Sequence, residues 1–199
     1  MHIIGITGGI GAGKSEIIKY LQEHYNACVA KTDDIGHLGI KKDEDCYWRV
    51  IRLLGSAIID EDGELNRTKI ATIVHADKDK LTKLDAIIHP FVKRYIIAMI
   101  EEARAQGEKY FFIEAALLLE DNYDQICDET WYIYADCNVR CLRLAESRNY
   151  CEEKSRQIMV NQLSADEFKK RCDFMIDNSG DFANTAQQID SRMRKYENV

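Results

Sequence analysis

Residues 8–15 read Gly-Gly-Ile-Gly-Ala-Gly-Lys-Ser, a match to G-x-x-x-x-G-K-[ST], and few strings of this length restrict a fold so tightly. The glycines let the backbone take φ > 0 and turn its N–H groups onto one anion. A helix beginning at the Lys-Ser end points its positive dipole end at the same charge. The motif needs a strand before it and a helix after it. The sequence offers both, a β-rich run over His2–Thr7 and then Ile17, Ile18 and Leu21 at helical spacing behind Ser15. The expectation is a site for a nucleoside triphosphate, with Lys14 reaching the β/γ-phosphates and the Ser15 hydroxyl ligating Mg²⁺.

A local cradle matters here because the rest of the chain repels anions. Lys and Arg number 27 against 34 Asp and Glu, a formal charge of −7. With no long basic block, this argues against nucleic acid or an anionic membrane surface as partner. The hydrophobic fraction of 46% is enough for a core. The longest apolar stretches, such as Tyr95–Ile100, fall far short of the roughly 18 residues of a membrane span. With no signal-like start, the chain reads as cytoplasmic. The seven scattered cysteines, an odd number, are expected as free thiols. Cys137 and Cys141 share a helical face but lack a second Cys/His pair for zinc.

Further strands are predicted at Ala27–Thr32, Lys109–Glu114, Thr130–Ala135 and Asp173–Asp177. Helical spacing covers Tyr47–Leu54, then Arg67 to about Gln106 with an interruption at His89-Pro90, where proline either opens or kinks a helix. It returns over Val139–Arg148, Glu152–Gln162, Ala165–Arg171 and from Phe182 onward. Strands alternating with helices imply an α/β fold with a parallel sheet covered on both faces. The helical stretch between the second and third strands is longer than a crossover needs and suggests a helical subdomain.

The loop alone does not separate switch, motor and kinase. Asp33-Asp34-Ile35-Gly36 fits D-x-x-G, but no Asn-Lys-x-Asp guanine reader follows, and the chain is short for a motor. A small-molecule kinase suits the size. Such an enzyme needs a carboxylate near the acceptor hydroxyl, and open α/β sheets bind ligands at the C-terminal strand edge. Asp33 and Asp34 end the second strand and serve either catalysis or a helix cap. Glu114 ends the third, as a site acid or a structural carboxylate. Arg140, Arg143 and Arg148 lie along or just past one helix, as phosphate ligands or a solvated face.

Taken in order, Gly5-Ile6-Thr7-Gly8-Gly9-Ile10-Gly11-Ala12-Gly13-Lys14-Ser15, an Asp after strand two, His89-Pro90, Glu114-Ala115-Ala116-Leu117-Leu118-Leu119-Glu120 and Asp177-Asn178-Ser179-Gly180 resemble the dephospho-coenzyme A kinase family over nearly the whole chain. The resemblance implies a three-layer P-loop kinase fold, a five-stranded parallel sheet with flanking helices, a helical substrate subdomain and a lid. On this chain it implies a core of about 1–35, 107–138 and 172–199, a substrate-binding insertion of about 36–106 and a lid of about 139–171. It implies transfer of the ATP γ-phosphate, with Mg²⁺, to the ribose 3′-hydroxyl of dephospho-coenzyme A; the chain itself is read as a monomer, with a higher oligomer left open. Its catalytic acid falls on Asp34, with Thr32 where the family has a first acid and Asp33 beside it. It assigns catalysis to Asp34, Lys14 and Arg148, and ATP contacts to Gly9, Gly11, Ala12, Gly13, Lys14, Ser15, Glu16, Arg143 and Asn178. Asp34, His89, Glu114 and Leu118 would face the substrate, and Ser15 the metal.

Overall fold

The computed structural model describes residues 1–197, so the last two residues of the expected 172–199 segment lie outside the described residues. In chain order the elements begin with β1 (His2–Thr7), α1 (Lys14–Tyr25), β2 (Cys28–Lys31), α2 (Thr32–Gly39) and α3 (Tyr47–Leu54). Then come α4 (Arg67–Ala76), α5 (Lys78–Ala105), β3 (Tyr110–Glu114) and β4 (Glu129–Tyr134). The chain continues through α6 (Cys137–Arg148), α7 (Glu152–Val160), α8 (Ala165–Arg171), β5 (Phe174–Asp177) and α9 (Phe182–Glu197). The strands form one five-stranded parallel sheet in the order β2-β3-β1-β4-β5.

Two compact units divide the chain, residues 1–29 with 103–199 and residues 30–102. In the first, β1 lies between β3, with Ile6 opposite Glu114, and β4, with Ile6 opposite Trp131. Five of the six β1 residues are buried, the pattern of a strand covered on both faces. Ile4, Ile6, Phe112, Trp131 and Ile133 from the strands pack with Ile17, Ile18 and Leu21 of α1 and with Ile189 and Met193 of α9. The spacing 17, 18, 21 is one face of a helix, and burying that face makes α1 start where the glycine loop ends.

The second unit has its own core, in which Tyr47 and Val50 of α3 meet Ile58, Leu65, Ile70, Val74 and Leu84. The interruption expected at His89-Pro90 lies instead at Asp77. There the backbone is extended (φ −141°, ψ 99°), and the carboxylate accepts from Lys80 N–H at 3.1 Å, capping the next helix. Pro90 sits inside α5, whose buried stripe Leu84, Val92, Ile96, Ile100 and Ala103 runs through the proline. Burial of that stripe offsets the one missing donor. The second predicted strand is shorter than expected: Thr32 is already helical, so Asp33 and Asp34 stand in the first turn of α2 rather than on the strand. Among the described residues no helix is long and apolar enough to cross a membrane.

Candidate active site

The first unit builds its site from the turn between β1 and α1. Gly8, Gly11 and Gly13 take φ of 151°, 77° and 93°, a region closed to most L-residues. The turn folds on itself through Ala12 N–H to Gly9 O at 3.2 Å. The first bond of α1 runs from Glu16 N–H to Gly13 O at 3.1 Å. The amides of Gly13, Lys14 and Ser15 thus precede the helical ladder, the arrangement in which helix N-termini hold anions. The Lys14 ammonium donates to Gly8 O at 2.8 Å, which folds its stem over the loop. Ser15 and Glu16 are exposed, and Lys14 is half-buried.

Two arginines one turn apart on α6 hold the loop carbonyls of Ile10 and Ala12. Arg140 Nε donates to Ile10 O at 2.7 Å, and its second guanidinium nitrogen reaches Gln162 Oε1 at 2.8 Å. Gln162 Oε1 also accepts from Ile10 N–H at 3.0 Å. Arg143 donates to Asn178 O at 2.9 Å and to Ala12 O at 3.4 Å. Asn178, wholly buried after β5, donates to Ala12 O at 2.9 Å and accepts from Thr185 Oγ1 at 2.8 Å. Burial lowers the pKa of Arg140 from its ordinary value, though arginine stays charged at any working pH.

The structure brings Gly9, Gly11, Ala12, Gly13, Lys14, Ser15, Arg143 and Asn178 together, with Glu16 on the first turn of α1. Three positions depart from their expected surroundings. Asn178 is wholly buried, and its side-chain amide braces the loop, bonded to protein on both sides. Leu118, expected to face the substrate, is fully buried with its side chain against Gly5, where a Cβ would stand 2.7 Å from it. Arg148 ends α6, exposed, and makes none of the loop contacts of Arg140 and Arg143. Glu114 closes β3, half-buried, in register with Ile6.

Spacing alone left Arg140 no better than its neighbours and did not raise Gln162 at all. A Gly9 under the guanidinium, where a Cβ would be 2.3 Å from Arg140 Nη2, is a steric signal visible only in three dimensions.

In the second unit, Asp33 and Asp34 are exposed in the first turn of α2, where a carboxylate is favoured by the helix dipole. His89, half-buried on α5, lies with Nε2 3.8 Å from Asp85 Oδ1. His37 Nδ1 and the Arg67 guanidinium are 2.9 Å apart.

A parallel five-stranded sheet whose β1–α1 turn is this loop defines a P-loop kinase. A Thermus thermophilus protein of solved structure superposes with TM-score 0.83 at 25% identity, over 98% of this chain and 97% of that one. A dephospho-CoA kinase from Campylobacter jejuni shares the fold at TM-score 0.73 and 18% identity, over 97% and 96% of the two chains. The family model described as dephospho-CoA kinase matches residues 2–184. A dephospho-CoA kinase of Streptococcus mutans is 33% identical over 98% of both chains. One from Symbiobacterium thermophilum is 31% identical over 98% of this chain and 81% of its own. The chain belongs to the dephospho-CoA kinase family, ATP-dependent enzymes, and its activity is the final step of coenzyme A biosynthesis.

Proposed function

We propose that the chain moves the γ-phosphoryl group of ATP to the ribose 3′-hydroxyl of dephospho-CoA, with Asp34 as the acid–base residue. In this reading Asp34 takes the hydroxyl proton while the new O–P bond forms and the bond from the γ-phosphorus to the β,γ-bridging oxygen breaks, leaving ADP. The single observation that carries it is the loop itself, a β1–α1 turn at the head of a helix whose carbonyls are tied by Arg140, Arg143 and Asn178. Asp34 is supported by its place directly after β2, at the edge where open parallel sheets carry ligands.

Lys14 would draw charge from the β/γ-phosphates, and Glu16 would flank them on α1. The exposed Ser15 hydroxyl at the head of α1 is an oxygen donor of the kind Mg²⁺ accepts. Mg²⁺, when bound with ATP, neutralises charge developing on the phosphates. His89 and Glu114 would orient dephospho-CoA, and Arg148 would act from the lid. The helical stretch 36–106 is read as the substrate subdomain and 139–171 as the lid, in a cytoplasmic monomer.

The test is ADP release from ATP and Mg²⁺ with dephospho-CoA, adenosine, cytidine monophosphate or thymidine monophosphate as acceptor. Stimulation by dephospho-CoA alone is expected, and stimulation only by a rival would discard the acceptor assignment. Lys14→Ala and Asp34→Ala should each lower kcat/KM by about 10²-fold or more, since each acts on charge that develops in the transition state. A change of a few fold in either would remove that residue from its role.

A further inference from the structure

Gln162 stands two residues past the end of α7, outside any helix. Its carboxamide oxygen accepts from Ile10 N–H at 3.0 Å and from the Arg140 guanidinium at 2.8 Å. An amide of a phosphate-binding loop paired with a guanidinium is the donor set that an oxyanion takes, and charge-assisted bonds to an anion are stronger than those to a neutral carboxamide. Both donors are fixed before any ligand arrives, because Arg140 Nε is bonded to Ile10 O at 2.7 Å and the guanidinium lies directly on Gly9. Ile10 is also at the opposite end of the loop from the backbone amides of Gly13, Lys14 and Ser15, the donors suited to the inner phosphates. The Ile10 end is left for the terminal one.

We propose that Gln162 Oε1 stands in for an oxygen of the ATP γ-phosphate, and that the incoming triphosphate takes both donors and displaces the carboxamide. Displacement frees the segment joining α7 to α8 from the loop, so binding of ATP, and not of ADP, unlocks that part of the chain. Gln162 is thus a positioning residue that couples the state of the nucleotide to the 151–171 region. The proposal rests on the loop being the ATP seat.

The experiment is calorimetric titration of the full chain and two variants with ADP and with the β,γ-imido analogue of ATP. Gln162→Ala removes the competitor and should bind the analogue about five- to tenfold more tightly while ADP changes less than about twofold. Gln162→Glu places a stronger acceptor on the same donors and should weaken the analogue by about tenfold or more. Weaker analogue binding by Gln162→Ala, an equal change for both nucleotides, or a Gln162→Glu variant that binds like the parent would each make the oxygen a structural brace and overturn the proposal. Should the variants fail to fold, the parent labelled with ¹⁵N-glutamine answers. The Gln162 side-chain amide resonance must move with the analogue and stay with ADP, and an unmoved resonance overturns the proposal. A parent that binds neither nucleotide would instead overturn the loop assignment, an outcome distinct from all of these.

Discussion

Gly13 is the tightest single position in the loop. Its φ is 93°, and a Cβ would stand 2.2 Å from the Asn178 amide nitrogen, so both conformation and space exclude a side chain. Gly13→Ala must push Asn178 off Ala12 O or pull the turn out of shape. We expect loss of ATP binding by about tenfold or more with a folded protein, read by calorimetry beside a thermal melt. At this scale the motif was legible because its glycines answer to local backbone demands. Arg140, Gln162 and the bracing role of Asn178 were not, because their partners lie 130, 152 and 166 residues away along the chain. Spacing within one helix cannot show which arginine faces a loop so distant in sequence. The burial of Leu118 was not legible for the same reason: nothing local says that Gly5 leaves room for it.

Helices with caps written into their sequence were legible as elements. Ser164 and Glu167 bracket the start of α8 as a reciprocal capping box, Glu167 N–H donating to Ser164 Oγ at 3.2 Å and Ser164 N–H donating to Glu167 Oε2 at 2.9 Å. Ser164→Ala should lower the melting temperature by about 2–4 °C, as expected for a lost cap of about 1 kcal/mol in a chain of this size. The hydrogen bonds from Ser164 also hold the Glu167 carboxyl below its ordinary pKa. A depressed carboxylate stabilises the fold above the unfolded value near 4.3, and that contribution disappears as the pH falls through the lower folded value. Thermal melts from pH 6 to 3 should therefore show a smaller acid-side loss for Glu167→Gln than for the parent. Equal losses would remove Glu167 from the acid response. Pro90 shows the opposite case, a strong local signal that did not decide the element. The buried stripe of α5 spans it, whereas the less conspicuous Asp77 ends one helix and caps the next.

Across the whole molecule, charge and thiol chemistry follow burial. The net −7 leaves anion binding to donors gathered at one turn, and the one buried acid among the described residues, Glu129, is matched in place. It accepts from Trp131 Nε1 at 2.8 Å and from Arg192 Nε at 2.7 Å, with the Tyr196 hydroxyl as a further donor, which meets the cost of burying a carboxylate. All seven cysteines are free thiols, and only Cys137 and Cys151 are exposed. Burial pushes the Cys127 thiol up to about 12 and that of Cys172 to about 11. An aromatic disulfide reagent at pH 8 should label two thiols quickly and the other five only after denaturant. A third fast thiol would mean that one of the buried or half-buried sites opens in solution.

By itself the sequence determined the alternation of strands and helices, the phosphate loop and the family, because each rests on periodicity, turn chemistry or a contiguous motif that acts over a few residues. The tertiary structure alone decided which side chains complete the loop. Arg140, Arg143, Gln162 and Asn178 reach it from segments that come near only once β4 is laid beside β1 and β5 beside β4, and long-range sheet pairing is a property of the folded chain, not of any local stretch of it.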